Sequence, residues 1–129
     1  DRLCFGSLGN GAFEISGGIC RQICVRMPPA EGPVAVASAS HRDAQTNQWL
    51  EKRGITNSIA IGSSLKFCLI AAGEADLYPR YGPTMEWDTA AGDAVLRAAG
   101  GRVTAEDGKP FPYGKAGYRN QPFFAAGGG

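Results

Sequence analysis

Histidine is scarce in this chain: of 129 residues only His41 carries an imidazole, and no Cys-x-x-Cys pair accompanies it. That shortage argues against the usual zinc sites, which draw on clustered cysteines and histidines. Excess charge is missing too. Thirteen basic and 12 acidic side chains leave a net charge of +1, so nothing indicates a surface for a nucleic-acid polymer or an anionic membrane. No apolar run in the sequence approaches the roughly 20 residues that span a bilayer. No secretory leader pattern is present, since Asp1 and Arg2 lead and no cleavable apolar stretch follows them. A Walker A loop is lacking, as is the G-x-S-x-G elbow of the serine hydrolases. Cysteine is modest. Cys4, Cys20, Cys24 and Cys68 do not make a dense disulfide scaffold, and all four are expected to be small, reduced core residues.

What is present is one domain's length of chain, enough to bury a real core, with 19 glycines beside its apolar runs. Residues 2–6, 11–16 and 21–26 read as strands, the first two joined by a glycine-rich turn. "PVAVASAS" (33–40) reads as a buried strand, 43–54 as a polar exposed helix closed by Gly54, and "SIAIG" (58–62) as a second buried strand. Residues 63–73 read as a helix between Ser63 and Gly73, and 75–79 as a strand ending at Pro79. The spacing of Trp87, Ala91, Ala94, Val95 and Ala98 predicts a helix over 88–99, with Asp93 and Arg97 as a supporting pair on its other face. Residues 101–106 and 122–126 close the chain as strands around a loop rich in Gly and Pro. The order, strands first and then alternating strands and helices, predicts an α/β fold: a layered, largely parallel sheet flanked by helices. Ligands of such sheets gather beyond the carboxyl ends of the strands.

Three stretches fall at such ends. Asp88, in "EWD", is either a helix N-cap or a ligand for a hard cation such as Mg²⁺. Lys66 sits in the first turn of an apolar helix, where it opposes the helix dipole. With Gly62, Ser63, Ser64 and free amides it makes a plausible phosphate cradle, unless the lysine snorkels to solvent. His41, in "SASHRD", is either a loop or helix-start histidine or a hydrogen-bonding contact to a ligand. A serine-hydrolase role for Ser40 with His41 is poorly supported, because adjacent side chains rarely face each other and no third residue is evident.

Taken together, "SASHRD", "GSSLKFCLIAAGEADLYPR" and "EWDTAAGDAVLRAAGG" resemble the carboxyl-terminal half of the 3'(2'),5'-bisphosphate nucleotidases of the CysQ type. Those belong to the magnesium-dependent phosphatase superfamily of inositol monophosphatase and fructose-1,6-bisphosphatase. The resemblance runs over nearly the whole chain, and it implies the carboxyl-terminal domain of that fold. It implies Asp88 as a catalytic metal ligand for Mg²⁺ near the scissile phosphate, with Glu86 and Thr89 orienting it. It implies Ser38, His41, Gly62, Ser63, Ser64, Lys66 and Arg80 as substrate-binding residues. The implied reaction is hydrolysis of the 3'-phosphate of adenosine 3',5'-bisphosphate to AMP, in the cytoplasm or peripherally at the inner membrane.

The family's paired acidic residues and its D-P-I/L-D-G/S-T motif are absent here. The chain is therefore expected to be the substrate-binding half of a two-domain phosphatase, inactive alone, with the amino-terminal half of the same protein as its natural partner. "DRLCFG", a strand already under way, fits that expectation. Strand 2–6 is the expected exposed edge, and self-association through it follows. Two other readings stand beside this one: a phosphatase of the same superfamily acting on an inositol phosphate or another phosphomonoester, and a non-catalytic module that binds nucleotides or a partner chain.

Overall fold

In a computed structural model, residues 1–38, 43–62 and 65–128 of the chain are described. An antiparallel meander comes first: β1 (Arg2–Ser7), β2 (Gly11–Ser16) and β3 (Ile19–Ile23). Then follow β4 (Ala35–Ser38), α1 (Ala44–Lys52), β5 (Ser58–Ile61), α2 (Leu65–Ala71), β6 (Leu77–Arg80), β7 (Thr84–Met85), α3 (Glu86–Ala98), β8 (Arg102–Ala105), β9 (Arg119–Asn120) and β10 (Phe123–Ala126). A five-stranded sheet has the order β5-β4-β6-β10-β8, and β7 pairs with β9 apart from it.

The expected α/β layering is present. β4 runs parallel to β5 and β6, while β10 is antiparallel to both β6 and β8. Four strands therefore point one way, and β10 is inserted against them. The cause lies in the connection. A parallel neighbour needs a crossover, usually an α-helix, and the chain between β8 and β10 contains none.

α2 and α3 pack on each other, and α3 touches β1 and β2 on one side and β8 on the other, so the two helices form a layer between the sheets. α2 is apolar around much of its circumference, with Phe67, Leu69, Ile70 and Ala71 buried, as such a layer demands. β10 alternates accordingly. Phe123 packs on Phe67 with ring centroids 5.7 Å apart, and Phe124 points to the opposite face and stacks on Trp49 of α1 at 5.5 Å. Tyr78 and Phe111 complete the aromatic centre, edge-on to Phe123 at 5.2 and 5.4 Å.

Three glycines set the course of α3. A Cβ on Gly92 would lie 2.4 Å from the Phe67 ring, so the helices meet where only hydrogen fits. At the other end Gly100, at φ +98°, turns the chain out of the helix, and a Cβ on Gly101 would lie 2.5 Å from Leu96 and 2.7 Å from the Ala126 carbonyl.

Several sequence expectations are corrected. β5 is not buried; its residues 58–60 are exposed because it is the outer strand of its sheet. β3 begins and ends earlier than 21–26. α3 begins at Glu86, and its buried stripe is Glu86, Thr89, Gly92, Asp93, Val95 and Leu96. Trp87, Ala91 and Ala94 face outward, Trp87 with 68 % of its surface exposed. Asp93 is buried rather than on the outer face, though its pairing with Arg97 holds at 2.7 Å. Cys20 and Cys24 are exposed and are not core residues: Cys20 lies on an outer strand and Cys24 just beyond it. All four cysteines are free thiols.

Three buried carboxylates, Asp76, Glu14 and Asp93, are tied to arginines. Asp76 takes both arms of Arg26 at 3.1 and 3.0 Å and the Val34 amide at 2.8 Å, fastening the β3–β4 linker to β6. Glu14 joins Arg2 and Arg21, and Arg2 continues to Glu74. The Arg2 hydrogen bond holds the Glu14 carboxyl below its ordinary 4.5 against the desolvation that would raise it, with Arg21 adding to the depression.

Two predictions follow from this packing. Alanine normally gains about 0.5–1 kcal/mol over glycine inside a helix. Gly92→Ala is instead expected to lose about 1–3 kcal/mol by overpacking against Phe67, read as a lower urea midpoint at unchanged slope. Because Glu14 titrates lower in the folded chain, its contribution is whole above pH 4.5 and fades as pH falls through the depressed value. Unfolding midpoints measured from pH 6 to 3, a window on either side of about 4.3, should fall less steeply in Glu14→Gln; an unchanged slope would count against the assignment.

Candidate active site

Since β4, β5 and β6 run parallel, their carboxyl ends share one edge of the sheet. Ser38 ends β4 opposite Ile61 of β5, and Gly62 follows Ile61. Lys66 lies in the first turn of α2, Arg80 ends β6, and the chain passes through β7 into α3 with Asp88 in its first turn. His41, Ser63 and Ser64 lie outside the described residues.

Lys66 does not snorkel. It is 4 % exposed, its Nζ donates to the Ile61 carbonyl at 3.3 Å, and the ammonium sits 5.2 Å from the centre of the Tyr78 ring. Burial lowers its pKa, and the positive charge of Arg80 lowers it further. Arg80 is braced by hydrogen bonds from its guanidinium to the carbonyls of Gly82 and Pro83 at 3.2 and 3.3 Å. Tyr78 lies among these groups. Burial pushes its hydroxyl up to about 12, with Arg80 opposing the rise and Asp88 adding to it. The structure thus brings Lys66 and Arg80 to Tyr78 and places Ser38 and Gly62 on the same sheet edge, while Asp88 reaches Tyr78 only through its charge.

Asp88 is not the N-cap. Met85 holds that position, and Asp88, three residues into the helix, reaches back to accept the Met85 amide at 2.9 Å. The helix starts earlier than its sequence suggests because β7 runs directly into it. Asp88 is exposed on a shallow cleft of about 280 Å³ lined by Pro83, Thr84, Met85, Asp88 and Arg119. Glu86 and Thr89, expected to orient Asp88, instead hold the loop 112–120. The Glu86 carboxylate accepts the amides of Gly114 and Lys115 at 2.8 and 3.0 Å and pairs with the Lys115 ammonium at 2.6 Å. Lys115 and those amides hold its pKa down at about 2. The Thr89 hydroxyl accepts from Tyr113 and from the Asn120 amide, each at 3.2 Å. Arg119, Lys115, Tyr113 and Asn120 were not singled out from the sequence; two-residue strands leave no periodicity to read.

Among the described residues, no three of His, Cys, Asp and Glu come together to hold a metal. Mg²⁺ is commonly held by one or two carboxylates with phosphate oxygens and waters. Asp88 alone does not make such a site; it suits one position in a shared one.

Compared with protein-family models, residues 1–124 match the inositol monophosphatase family. The chain belongs to that family. It is 52 % identical over 102 residues to the 3'(2'),5'-bisphosphate nucleotidase CysQ of Escherichia coli K12, which covers 79 % of this chain and 41 % of the relative. A second relative, an uncharacterized protein in the pss 5' region of Rhizobium leguminosarum, is 62 % identical over 69 residues, 54 % of this chain and 73 % of that protein. Among solved structures, CysQ from Bacteroides thetaiotaomicron superimposes with a TM-score of 0.87 at 36 % identity, over 98 % of this chain and 54 % of that one. Inositol monophosphatase from Anabaena gives 0.75 at 26 % identity, over 99 % of this chain and 50 % of that one. The chain spans about two fifths of the length of the E. coli protein it matches.

Proposed function

We propose that this chain is the substrate-binding part of a longer CysQ-like enzyme that hydrolyses the 3'-phosphate of adenosine 3',5'-bisphosphate to AMP with Mg²⁺. Asp88 supplies one metal ligand, and the remaining ligands lie on the rest of that polypeptide. Ser38, His41, Gly62, Ser63, Ser64, Lys66 and Arg80 hold the nucleotide. When bound, the metal would activate water and stabilise the leaving oxygen; this chain's task is to bind and orient the substrate.

The observation that carries the reading is Lys66. It is buried in the first turn of a helix, where burial and then the positive charge of Arg80 disfavour its ammonium and a helix N-terminus favours anions. A phosphate at that place would suit this setting, and the 52 % identity to a bisphosphate nucleotidase supports a nucleotide bisphosphate as its source. The outer face of the small sheet, where Leu3 is 60 % and Phe5 43 % exposed, is the surface the rest of the polypeptide would cover. Alone, the chain is expected to self-associate through it, seen as a sedimentation coefficient that rises with concentration.

The test is phosphate release from adenosine 3',5'-bisphosphate with Mg²⁺, comparing this chain with an amino-terminally extended version. Activity is expected only in the longer protein. There Asp88→Asn should lower kcat about a hundredfold or more, the scale of losing several kcal/mol of charge stabilisation. Lys66→Met should raise KM about 10- to 100-fold, the range for a lost charged hydrogen bond. Turnover by the short chain, or release from an inositol phosphate but not from the nucleotide, would displace this reading.

A further inference from the structure

The loop 112–120 is fastened to the first turn of α3 by a polar network centred on Lys115. Its ammonium has three hydrogens and three acceptors: Glu86 Oε2 at 2.6 Å, the Pro112 carbonyl at 2.7 Å and Asn120 Oδ1 at 3.0 Å. The Phe111 and Tyr113 rings flank it, 5.1 and 5.5 Å from their centres. Asn120 then donates to Thr84 Oγ1 at 3.1 Å, and β7 and β9 pair Thr84 with Asn120 and Met85 with Arg119. Met85 gives its amide to Asp88. A continuous path of bonds therefore runs from Lys115 through Asn120 and β7 to the carboxylate at the cleft.

A pair of two-residue strands is too short to hold itself. Something outside it must fix its geometry, and the Lys115–Glu86 clamp is the charged anchor at hand. The bonds of this path are made by α3, β7, β9 and the 112–120 loop, whereas Lys66 belongs to α2 and donates to the Ile61 carbonyl.

We propose that Lys115, clamped on Glu86, is a positioning residue for Asp88: it pins the 112–120 loop to α3, and through β9 and β7 sets the Met85 amide that orients the Asp88 carboxylate. This rests on the reading of Asp88 as a metal ligand. Loosening the clamp should disturb what Asp88 does and leave what Lys66 and Arg80 do.

The experiment uses the natural full-length gene product, with Lys115→Met, Lys115→Arg and Glu86→Gln. Mn²⁺ affinity is measured by calorimetry, kcat and KM for adenosine 3',5'-bisphosphate by phosphate release, and folding by thermal melting. Lys115→Met should weaken Mn²⁺ binding and lower kcat, each roughly 10- to 100-fold as for other supports of a metal ligand, while KM stays within about twofold of the wild type, well short of a tenfold effect. Lys115→Arg should recover most of both losses, and Glu86→Gln should show them in milder form. A folded Lys115→Met with wild-type Mn²⁺ affinity and kcat overturns the proposal, as does a loss confined to KM. Unfolding of all three variants also overturns it, by making the clamp a matter of stability alone. If the wild type binds Mn²⁺ but leaves the nucleotide untouched, the substrate reading fails, and the calorimetric arm still decides the role of Lys115.

Discussion

Gly92 meets the Phe67 ring where a single added carbon would stand 2.4 Å from it, and that contact fixes how α3 crosses α2. Its consequences reach the polar site. Phe67 packs edge-on to Tyr78 at 5.3 Å, and Tyr78 presents its ring to the Lys66 ammonium. The ring that the glycine admits therefore determines where the aromatic floor of the cationic site lies. The same crossing sets the start of α3, and with it Asp88, relative to the end of β6. Packing in such an interior is as dense as in an organic crystal, so a shift at Gly92 would be passed on rather than absorbed.

The charges sort into two kinds. Asp76 and Glu14 are matched by arginines, and Asp93 by Arg97 one helical turn away. Glu86 has Lys115 and two amides. These pairs bind segments together, each joining the chain across a turn or a loop. Lys66 is different: burial lowers its pKa first, and the positive charge of Arg80 lowers it further. Pairs of the first kind join segments of the chain, whereas a buried ammonium at a helix start, with a second cation on the strand that follows, is an environment that the proposed negative ligand would favour.

Much of the fold was legible because its elements carry strong local signals. β2 ends where its alternation ends, and α1 stops where Gly54 turns out at φ +65°. The face of α3 was misread for a physical reason. Its inward stripe includes Glu86, Thr89 and Asp93, polar residues that bind the loop 112–120 or Arg97, so the apolar pattern of Trp87, Ala91 and Ala94 pointed the wrong way. A rule that seeks apolar residues inside is blind to a helix whose buried partners are hydrogen bonds. Lys66 and Asp88 stood out in the sequence at helix starts, the first as a cation against the dipole and the second as a carboxylate that could cap the helix or hold a metal. Lys115 and Arg119 did not, since their meaning comes from long-range pairings that no spacing in the sequence reveals.

The two halves of the candidate site are therefore held by different means. Lys66 and Arg80 stand on elements of the large sheet and its helix layer; Lys66 is buried against the Tyr78 ring, and Arg80, half-buried, is braced on the carbonyls of Gly82 and Pro83. Asp88 is exposed, and its orientation depends on an amide in a two-residue strand, which in turn depends on a loop closed by one ion pair. Buried polar networks of this kind contribute specificity of geometry more readily than net stability. On the proposed reading, an arrangement in which the two cations stand on the main scaffold and the Asp88 carboxylate is adjusted through a loop would separate affinity from chemistry. Variation in residues 112–120 can then tune the one without disturbing the other.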